Sequence, residues 1–137
     1  MIVLDTNVVS EPLKSQPSLK VMEWLDNQAA ETLFLTTVSR AELRFGVLKL
    51  PDGKRKNALA ARIDQVLDLF KDRMLSFDAA AADQLALIAA RCEKLGKRAV
   101  APDAYIAACA AARGFAVATR NVAHFEPTGV RVINPWK

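Results

Sequence analysis

The sequence predicts an α/β fold: a three-layer α/β/α domain in which a short central parallel sheet of four to five strands is flanked by helices. Two observations predict it. Short apolar runs alternate along the chain with longer segments of helical periodicity, which is the order expected for a parallel sheet covered on both faces. Several of these runs also end on small polar or acidic residues, which is typical of sheets that carry their chemistry at one edge.

The first half of the chain contains two predicted strands and three predicted helices. Residues 1–4 and 32–36 are the short apolar runs. Between them, apolar residues at helical spacing mark a helix that ends near Asn27. The next helix is predicted to begin near Ser39, and a third covers 54–70, where the apolar residues again share one face.

The second half contains two further helices and the remaining strands. Asp78 is predicted to be the N-cap of an Ala-rich helix that stops at Gly96. Another helix begins at Pro102 and ends at Gly114. The predicted strands are 74–77, 115–119 and 130–133, with a short turn or helix at 122–125 between the last two. No repeat or linker interrupts this order, so residues 1–137 are predicted to form a single domain.

Charge and cysteine usage narrow the class of protein. Nineteen Lys and Arg against 15 Asp and Glu give a formal net charge of +4, which permits nucleic-acid binding without requiring it. No apolar stretch is long enough and free of charge to span a bilayer, and there is no signal-peptide pattern, so we expect a cytoplasmic protein with no membrane partner. Cys92 and Cys109 are expected to be buried free thiols, because their spacing is not that of metal ligands.

Polar residues from distant parts of the chain are predicted to meet at one edge of the sheet, because all strands of a parallel sheet end on the same edge. They are Asp5, Thr6 and Asn7 after the first strand, Glu42 after the second, Asp103 at the start of a helix, and Thr119 and Asn121 after the fourth strand. Three carboxylates and an amide would then share one pocket.

Each acid also has a structural interpretation. Asp5 and its polar neighbours can form an ordinary Asx-turn. Glu42 stands three residues after Ser39, which is the spacing of a helix capping box. Asp103 lies in the first turn of its helix, where a negative charge complements the helix dipole. For each of them, the structural and the functional interpretation remain open at this point.

Three carboxylates held close together repel one another unless a positive charge lies between them. Mg²⁺ or Mn²⁺ suits such a site, because its donors are oxygen atoms and no histidine or thiolate is placed to favour zinc. A cation there would polarise a phosphate and lower the pKa of an attacking water. The residues alone therefore predict a metal-dependent phosphodiesterase, and the basic charge balance favours a nucleic-acid backbone as substrate.

Four groups of residues also occur in a familiar order along the whole chain. They are 2–7 (IVLDTN) with 10–12 (SEP), 39–43 (SRAEL) with Gly46, 102–108 (PDAYIAA), and 118–121 (ATRN) with 132–136 (VINPW). This pattern resembles the PIN-domain ribonucleases, and within them the VapC-type toxins of bacterial type II toxin–antitoxin pairs. The DTNVxSE pattern near the N-terminus is similar to that of the FitB-like branch.

The resemblance implies a PIN-like fold and a metal-dependent endoribonuclease toxin. It implies that Asp5 and Asp103 bind Mg²⁺ or Mn²⁺ directly, and that Glu42 either binds the ion through water or positions the nucleophile. Asn121 departs from the family pattern, because many PIN domains have a fourth acid there. An amide holds a second cation less well than a carboxylate does, so we expect one firmly bound ion.

The resemblance further implies a homodimer and a VapB-like antitoxin partner, with the possibility of a larger hetero-oligomer of toxin and antitoxin. The RNA target stays open between transfer RNA, ribosomal RNA and messenger RNA, because RNA is recognised largely by shape and by exposed bases. The candidate phosphate contacts are Lys14, Lys54, Arg55, Lys56 and Arg120, although each of them is equally compatible with solvated surface. His124, the single histidine, is predicted to be a solvated surface residue, with a contact to substrate as the alternative.

Two alternative functions are compatible with parts of the sequence. A catalytically degenerate PIN-like module that binds RNA or protein is favoured by Asn121 and opposed by the three retained acids, which are costly to cluster without a metal. A haloacid-dehalogenase-type phosphatase also begins with a strand that ends in an aspartate. That chemistry commonly uses a second acid two residues later, where this chain has Asn7.

Overall fold

The computed structural model describes residues 1–137 and contains a five-stranded, wholly parallel sheet. Its strands are β1 (Ile2–Leu4), β2 (Leu33–Thr36), β3 (Met74–Leu75), β4 (Ala116–Ala118) and β5 (Val132–Ile133). They are arranged in the order β3-β2-β1-β4-β5. The predicted α/β fold class, with four to five parallel strands, is confirmed.

Seven helices accompany the sheet. They are α1 (Thr6–Ser10), α2 (Leu19–Asp26), α3 (Thr37–Leu48), α4 (Lys54–Leu69), α5 (Ala79–Lys94), α6 (Ala101–Arg113) and α7 (Val122–Phe125). None of them is both long and apolar enough to cross a membrane.

The core has two halves, one on each face of the sheet. Val3 and Val117 lie in an apolar cluster with residues of α5, α6 and α7, whereas Leu4 and Ala118 lie in a second cluster with residues of α1, α2, α3 and α4. This division follows from the geometry of strands, in which successive side chains point to opposite faces. The predicted three layers are therefore present.

The candidate site lies at the carboxyl ends of β1 and β4, two adjacent strands at the centre of the sheet. The chain passes from β1 to β2 and β3 on one side, and then returns to place β4 and β5 on the other. Leu4 of β1 pairs with Ala118 of β4, so the residues that follow these two strands emerge side by side. Open α/β sheets bind their ligands in the crevice at such a reversal of strand order.

The helices of the second half match the sequence prediction closely. Asp78 caps α5, and its Oδ1 atom accepts a hydrogen bond from Ala81 N at 3.0 Å. Gly114 ends α6 with φ +71°, a left-handed conformation that glycine adopts without steric cost. Cys92 and Cys109 are buried free thiols, as predicted, and burial raises the pKa of the Cys109 thiol to about 11.

The strands are shorter than the apolar runs that predicted them. Strand β3 covers two residues of the predicted 74–77, because its partner β2 ends at Thr36 and turns directly into α3. Strands β4 and β5 are likewise shorter than the predicted 115–119 and 130–133. Each strand extends only as far as the neighbouring strand with which it forms hydrogen bonds.

Helix α3 begins two residues before the predicted position near Ser39, and the capping-box role predicted for Glu42 is wrong. The helix begins at Thr37 with Thr36 as its N-cap, and Thr36 Oγ1 accepts a hydrogen bond from Ser39 N at 3.1 Å. The last residue of β2 thus provides the cap itself. Glu42 lies in the second turn, where its side chain is available for other contacts.

Helix α1 was not predicted as a helix. It has five residues, too few to show a helical period, and it begins directly after β1. Asp5 is its N-cap: Asp5 Oδ1 accepts a hydrogen bond from Thr6 N at 2.7 Å. The residues interpreted as an Asx-turn therefore form a capped short helix.

Thr36→Ala is expected to lower the free energy of unfolding by about 1 kcal/mol, because it removes the N-cap of α3. Thr36→Ser keeps the hydroxyl and should retain most of that stability. Thr37→Ala is the matched control, since the neighbouring Thr37 side chain makes no cap. Urea unfolding of the three variants measures the difference, and equal losses at Thr36 and Thr37 would contradict the assignment of the cap.

Candidate active site

Asp5 is the centre of the polar cluster at the carboxyl ends of β1 and β4. Only 3% of the surface of Asp5 is exposed, and both of its carboxylate oxygens accept hydrogen bonds. Thr6 N donates to Oδ1 at 2.7 Å, and Thr119 Oγ1 donates to Oδ2 at 2.7 Å. Asn121 N in turn donates to Thr119 Oγ1 at 2.9 Å, so the backbone after β4 fixes the hydroxyl that holds Asp5.

The electrostatics of Asp5 are unfavourable for a free carboxylate. Burial raises the pKa of Asp5 from 3.8 to about 6, and the nearby charges of Asp103 and Glu42 also raise it. The hydrogen bonds from Thr119 and Thr6 lower it and offset part of this effect. No basic side chain is among the groups that shift the pKa of Asp5, so no protein cation stabilises the charged form of this carboxylate.

Asp103 lies in the first turn of α6 and is buried. Its Oδ2 atom is 2.8 Å from Nδ1 of His124, the residue before the C-terminal residue of α7. His124 lies at the surface as predicted, with 48% of its side chain exposed, but its contact with Asp103 was not predicted. A single histidine has no sequence spacing that would have revealed this contact.

Glu42 joins the cluster through Thr6. Thr6 Oγ1 donates a hydrogen bond to Glu42 Oε1 at 2.6 Å, and it lies 2.9 Å from Ser39 Oγ. Helices α1 and α3 thus hold Glu42 at the edge of the site, close enough for its charge to raise the pKa of Asp5. The contact explains why Ser39, fully buried on α3, is polar.

The remaining residues predicted after β1 and β4 have more peripheral positions. Asn7 Oδ1 accepts a hydrogen bond from Arg120 N at 3.3 Å, which ties α1 to the segment after β4. Asn121 is exposed, and its side chain makes no hydrogen bond, so only its backbone N–H acts on the cluster, through Thr119. The guanidinium of Arg120 lies over the Trp136 ring, 5.3 Å from its centroid.

A groove of about 770 Å³ begins at the cluster, because Thr6 and Glu42 are among its lining residues. It runs between α3 and α4 and the segment that follows α1. Two of the predicted phosphate contacts, Lys14 and Arg55, line it. Arg62 lines it as well, and the sequence analysis missed this residue because it is one of several charges on the exposed side of a helix.

The basic groups of this region differ in how they are held. Arg62 donates hydrogen bonds to the backbone oxygens of Leu13 and Pro12. Lys14 Nζ forms a 2.9 Å ion pair with buried Glu11, whose other oxygen accepts from Ser18 N. Hydrogen bonding with Lys14 lowers the pKa of Glu11. Glu11 belongs to the SEP group of the sequence pattern, but no contact or role was predicted for it.

The other three predicted phosphate contacts, Lys54, Lys56 and Arg120, do not line this groove. Lys54 is exposed at the first residue of α4. Lys56 Nζ is 3.1 Å from Asp52 Oδ1 and 3.3 Å from the backbone oxygen of Leu48. Lys56 therefore neutralises a local acid and closes the loop between α3 and α4.

The cluster has the donor chemistry of a hard cation but an incomplete protein shell. Its donors are carboxylate and hydroxyl oxygens, and the charge at Asp5 is uncompensated. No three His, Cys, Asp or Glu side chains are arranged to hold one ion between them. The residues fit an ion that takes few protein ligands and keeps several waters, which is how Mg²⁺ is commonly bound.

Comparison with known proteins relates the chain to one family. A family model described as "PIN domain" matches residues 2–127. The chain is 45% identical to "VapC ribonuclease Y4jK" of Sinorhizobium fredii, over 100% of this chain and 99% of that protein. It is also 45% identical to "Toxin FitB" of Neisseria gonorrhoeae, over 99% of each chain.

The chain is also similar in fold to the solved structures of related proteins. The crystal structure of FitAcB from Neisseria gonorrhoeae contains a chain that matches with a TM-score of 0.95 and 45% identity, covering 99% of both chains. The family match includes Asp5, Glu42, Asp103 and Asn121, so all the acids of the cluster lie within it.

Proposed function

Because the chain belongs to the PIN-domain family, in the branch of its VapC and FitB relatives, we propose that it is a metal-dependent endoribonuclease and the toxin of a toxin–antitoxin pair. The observation that carries the proposal is the state of Asp5. It is a buried carboxylate, raised in pKa by burial and by two further acids, with no protein cation to neutralise it. Such an arrangement is costly to maintain unless it serves to bind a cation.

Asp5 and Asp103 are the direct ligands in this proposal, with Mg²⁺ or Mn²⁺ as the ion. Glu42, held by Thr6 at 2.6 Å, acts through water. When bound, the ion would neutralise charge on the scissile phosphate and lower the pKa of the attacking water. Asn121 adds no charge, and its exposed side chain supports the expectation of one firmly bound ion.

The protein's own residues have three tasks in this mechanism. Thr119 and Thr6 N hold the two oxygens of Asp5, so the carboxylate needs no reorientation when substrate arrives. Glu42 is oriented toward the crevice and can accept a proton from a water positioned there. The groove lined by Lys14, Arg55 and Arg62 offers a path along which phosphates approach the acids.

Toxin partners are part of the same proposal. The relatives' structures include one described as FitAB bound to a DNA fragment, with a TM-score of 0.96 and 44% identity to this chain. We propose a cognate antitoxin on that basis, and separately we propose a homodimer. Helix α3, which carries Glu42, also exposes 64% of Phe45 and 70% of Leu48, and exposed apolar side chains of this size favour a protein contact. Light scattering of the chain alone and with its operon partner measures both associations.

Cleavage of total cellular RNA tests the proposed activity. Purified protein is incubated with Mg²⁺, with Mn²⁺ or with EDTA, and fragments are resolved and their ends sequenced. Discrete fragments are expected with a divalent cation and none with EDTA. Intact RNA under all three conditions, with protein that is folded by circular dichroism, would instead support the non-catalytic binding module. The family assignment leaves the haloacid-dehalogenase-type phosphatase without support.

A further inference from the structure

We propose that His124 is a positioning residue for Asp103: its Nδ1–H group fixes the carboxylate so that one oxygen is held by the protein and the other is reserved for the cation. The inference rests on the proposed function, because it assigns a role toward the same ion. It goes beyond that function by giving a task to a side chain outside the acid cluster.

The hydrogen bond has a defined polarity. His124 Nδ1 is 2.8 Å from Asp103 Oδ2, and an ionised carboxylate can only accept hydrogen bonds. The proton of the bond therefore lies on Nδ1. A neutral ring then carries no proton on Nε2, whereas an imidazole free in water prefers its proton on Nε2. The contact consequently imposes a specific tautomer on the ring.

The backbone segment that carries His124 is held in place by its neighbours. Phe125, the next residue, is fully buried in the apolar cluster beneath α6 and α7, so it anchors α7 against the sheet. His124 N also donates to Asn121 O at 3.0 Å. The imidazole thus lies on a fixed segment and not on a mobile loop, which is a requirement for orienting another group.

Asp103 needs such a partner more than Asp5 does. Both oxygens of Asp5 are held, by Thr6 N and Thr119 Oγ1. Asp103 has one side-chain partner, His124, at one oxygen. Without His124 the Asp103 side chain would be free to turn within its crevice, and fixing it in advance lowers the entropy cost of binding an ion. Groups that orient metal ligands in this way typically change metal affinity 10- to 100-fold when they are removed.

The first test uses the metal-free protein and depends on no activity. Because the chain has one histidine, its imidazole signals in a two-dimensional ¹H–¹⁵N spectrum are unambiguous. We expect the ¹⁵N shifts of the neutral ring to report a proton on Nδ1 in the wild-type chain. In Asp103→Ala, which removes the acceptor, the proton should move to Nε2. A wild-type ring with its proton on Nε2 would overturn the inference.

The second test measures Mn²⁺ binding by calorimetry. His124→Ala is expected to weaken the affinity about 10- to 100-fold. His124→Asn places an amide N–H close to the position of Nδ1, so it should bind within about threefold of the wild-type chain. Unchanged affinity in His124→Ala would overturn this inference but leave the proposed cation site standing. An equal loss of affinity in His124→Ala and His124→Asn would have the same consequence. A wild-type chain that binds no Mn²⁺ would overturn the proposed cation site and this inference with it.

Discussion

Asp5→Asn and Asp103→Asn are each expected to reduce metal-dependent RNA cleavage by at least about a thousandfold. Each substitution keeps the shape of the side chain but removes one of the two charges that would hold the ion. Charge stabilisation by a bound cation contributes several kcal/mol to such a reaction, and about 4 kcal/mol corresponds to a thousandfold in rate. Single-turnover cleavage of an RNA containing one mapped site measures the loss.

Matched variants separate this effect from a general change in charge. Asp83→Asn is the control, because Asp83 is exposed on α5, which packs on the other face of the sheet from the groove helices α3 and α4. This variant should cleave like the wild-type chain. Glu42→Gln should lose less than the two aspartate variants, since Glu42 acts through water. Activity of Asp5→Asn or Asp103→Asn within tenfold of the wild-type chain would refute the assignment of that residue as a ligand.

The sequence was sufficient for the parts of the fold that depend on local signals. Asp78 as a cap and Gly114 as a stop are set by side chains next to them in the chain, so α5 and α6 were predicted with nearly correct bounds. The start predicted for α3 lies two residues too late, because two capping residues, Thr36 and Ser39, compete within four positions. Ser39 has the better local pattern, but Thr36 lies where β2 ends, and the sheet decides which of them caps.

Some residues of the candidate site could likewise be predicted from local signals, whereas others could not. Asp5 and Asp103 were identifiable because each immediately follows or opens a regular element, and the parallel topology brings such positions to one edge. The contacts of His124 and Arg62 were not identifiable, because their partners lie 21 and about 50 residues away. They are reached only through the packing of α7 on α6 and of α4 on the segment that follows α1. Contacts between elements of this kind leave no periodic pattern in one sequence.

The same electrostatics that would bind a cation should destabilise the protein without one. Burial and the charges of Asp103 and Glu42 raise the pKa of Asp5 in the folded chain from 3.8 to about 6. In the unfolded chain the pKa of Asp5 is near its ordinary value of 3.8. Between pH 3.8 and about pH 6, therefore, the folded state binds a proton at Asp5 that the unfolded state has lost. The stability contributed by Asp5 is therefore complete below about pH 3.8 and is lost as the pH rises through about 6.

Asp5→Asn is accordingly expected to stabilise the metal-free protein at pH 7.5. Ionising Asp5 there costs the folded state about 3 kcal/mol, from 1.36 kcal/mol for each pH unit by which its pKa is raised. The amide avoids this cost but gives Thr119 a poorer acceptor, so we expect a net gain of about 2 kcal/mol, or roughly 6 to 8 °C in melting temperature. Urea unfolding in EDTA at pH 7.5 and pH 4.5 measures it, and the gain should shrink at the lower pH.

Added Mn²⁺ should reverse this order, because only the wild-type chain retains both charges and gains stability from the ion. Asp83→Asn, which removes an exposed charge, should unfold like the wild-type chain at both pH values. If Asp5→Asn is instead less stable than the wild-type chain in EDTA at pH 7.5, the buried carboxylate is balanced by the protein itself. The argument that the cluster is built to receive a cation would then fail, since its uncompensated charge is the observation on which it depends.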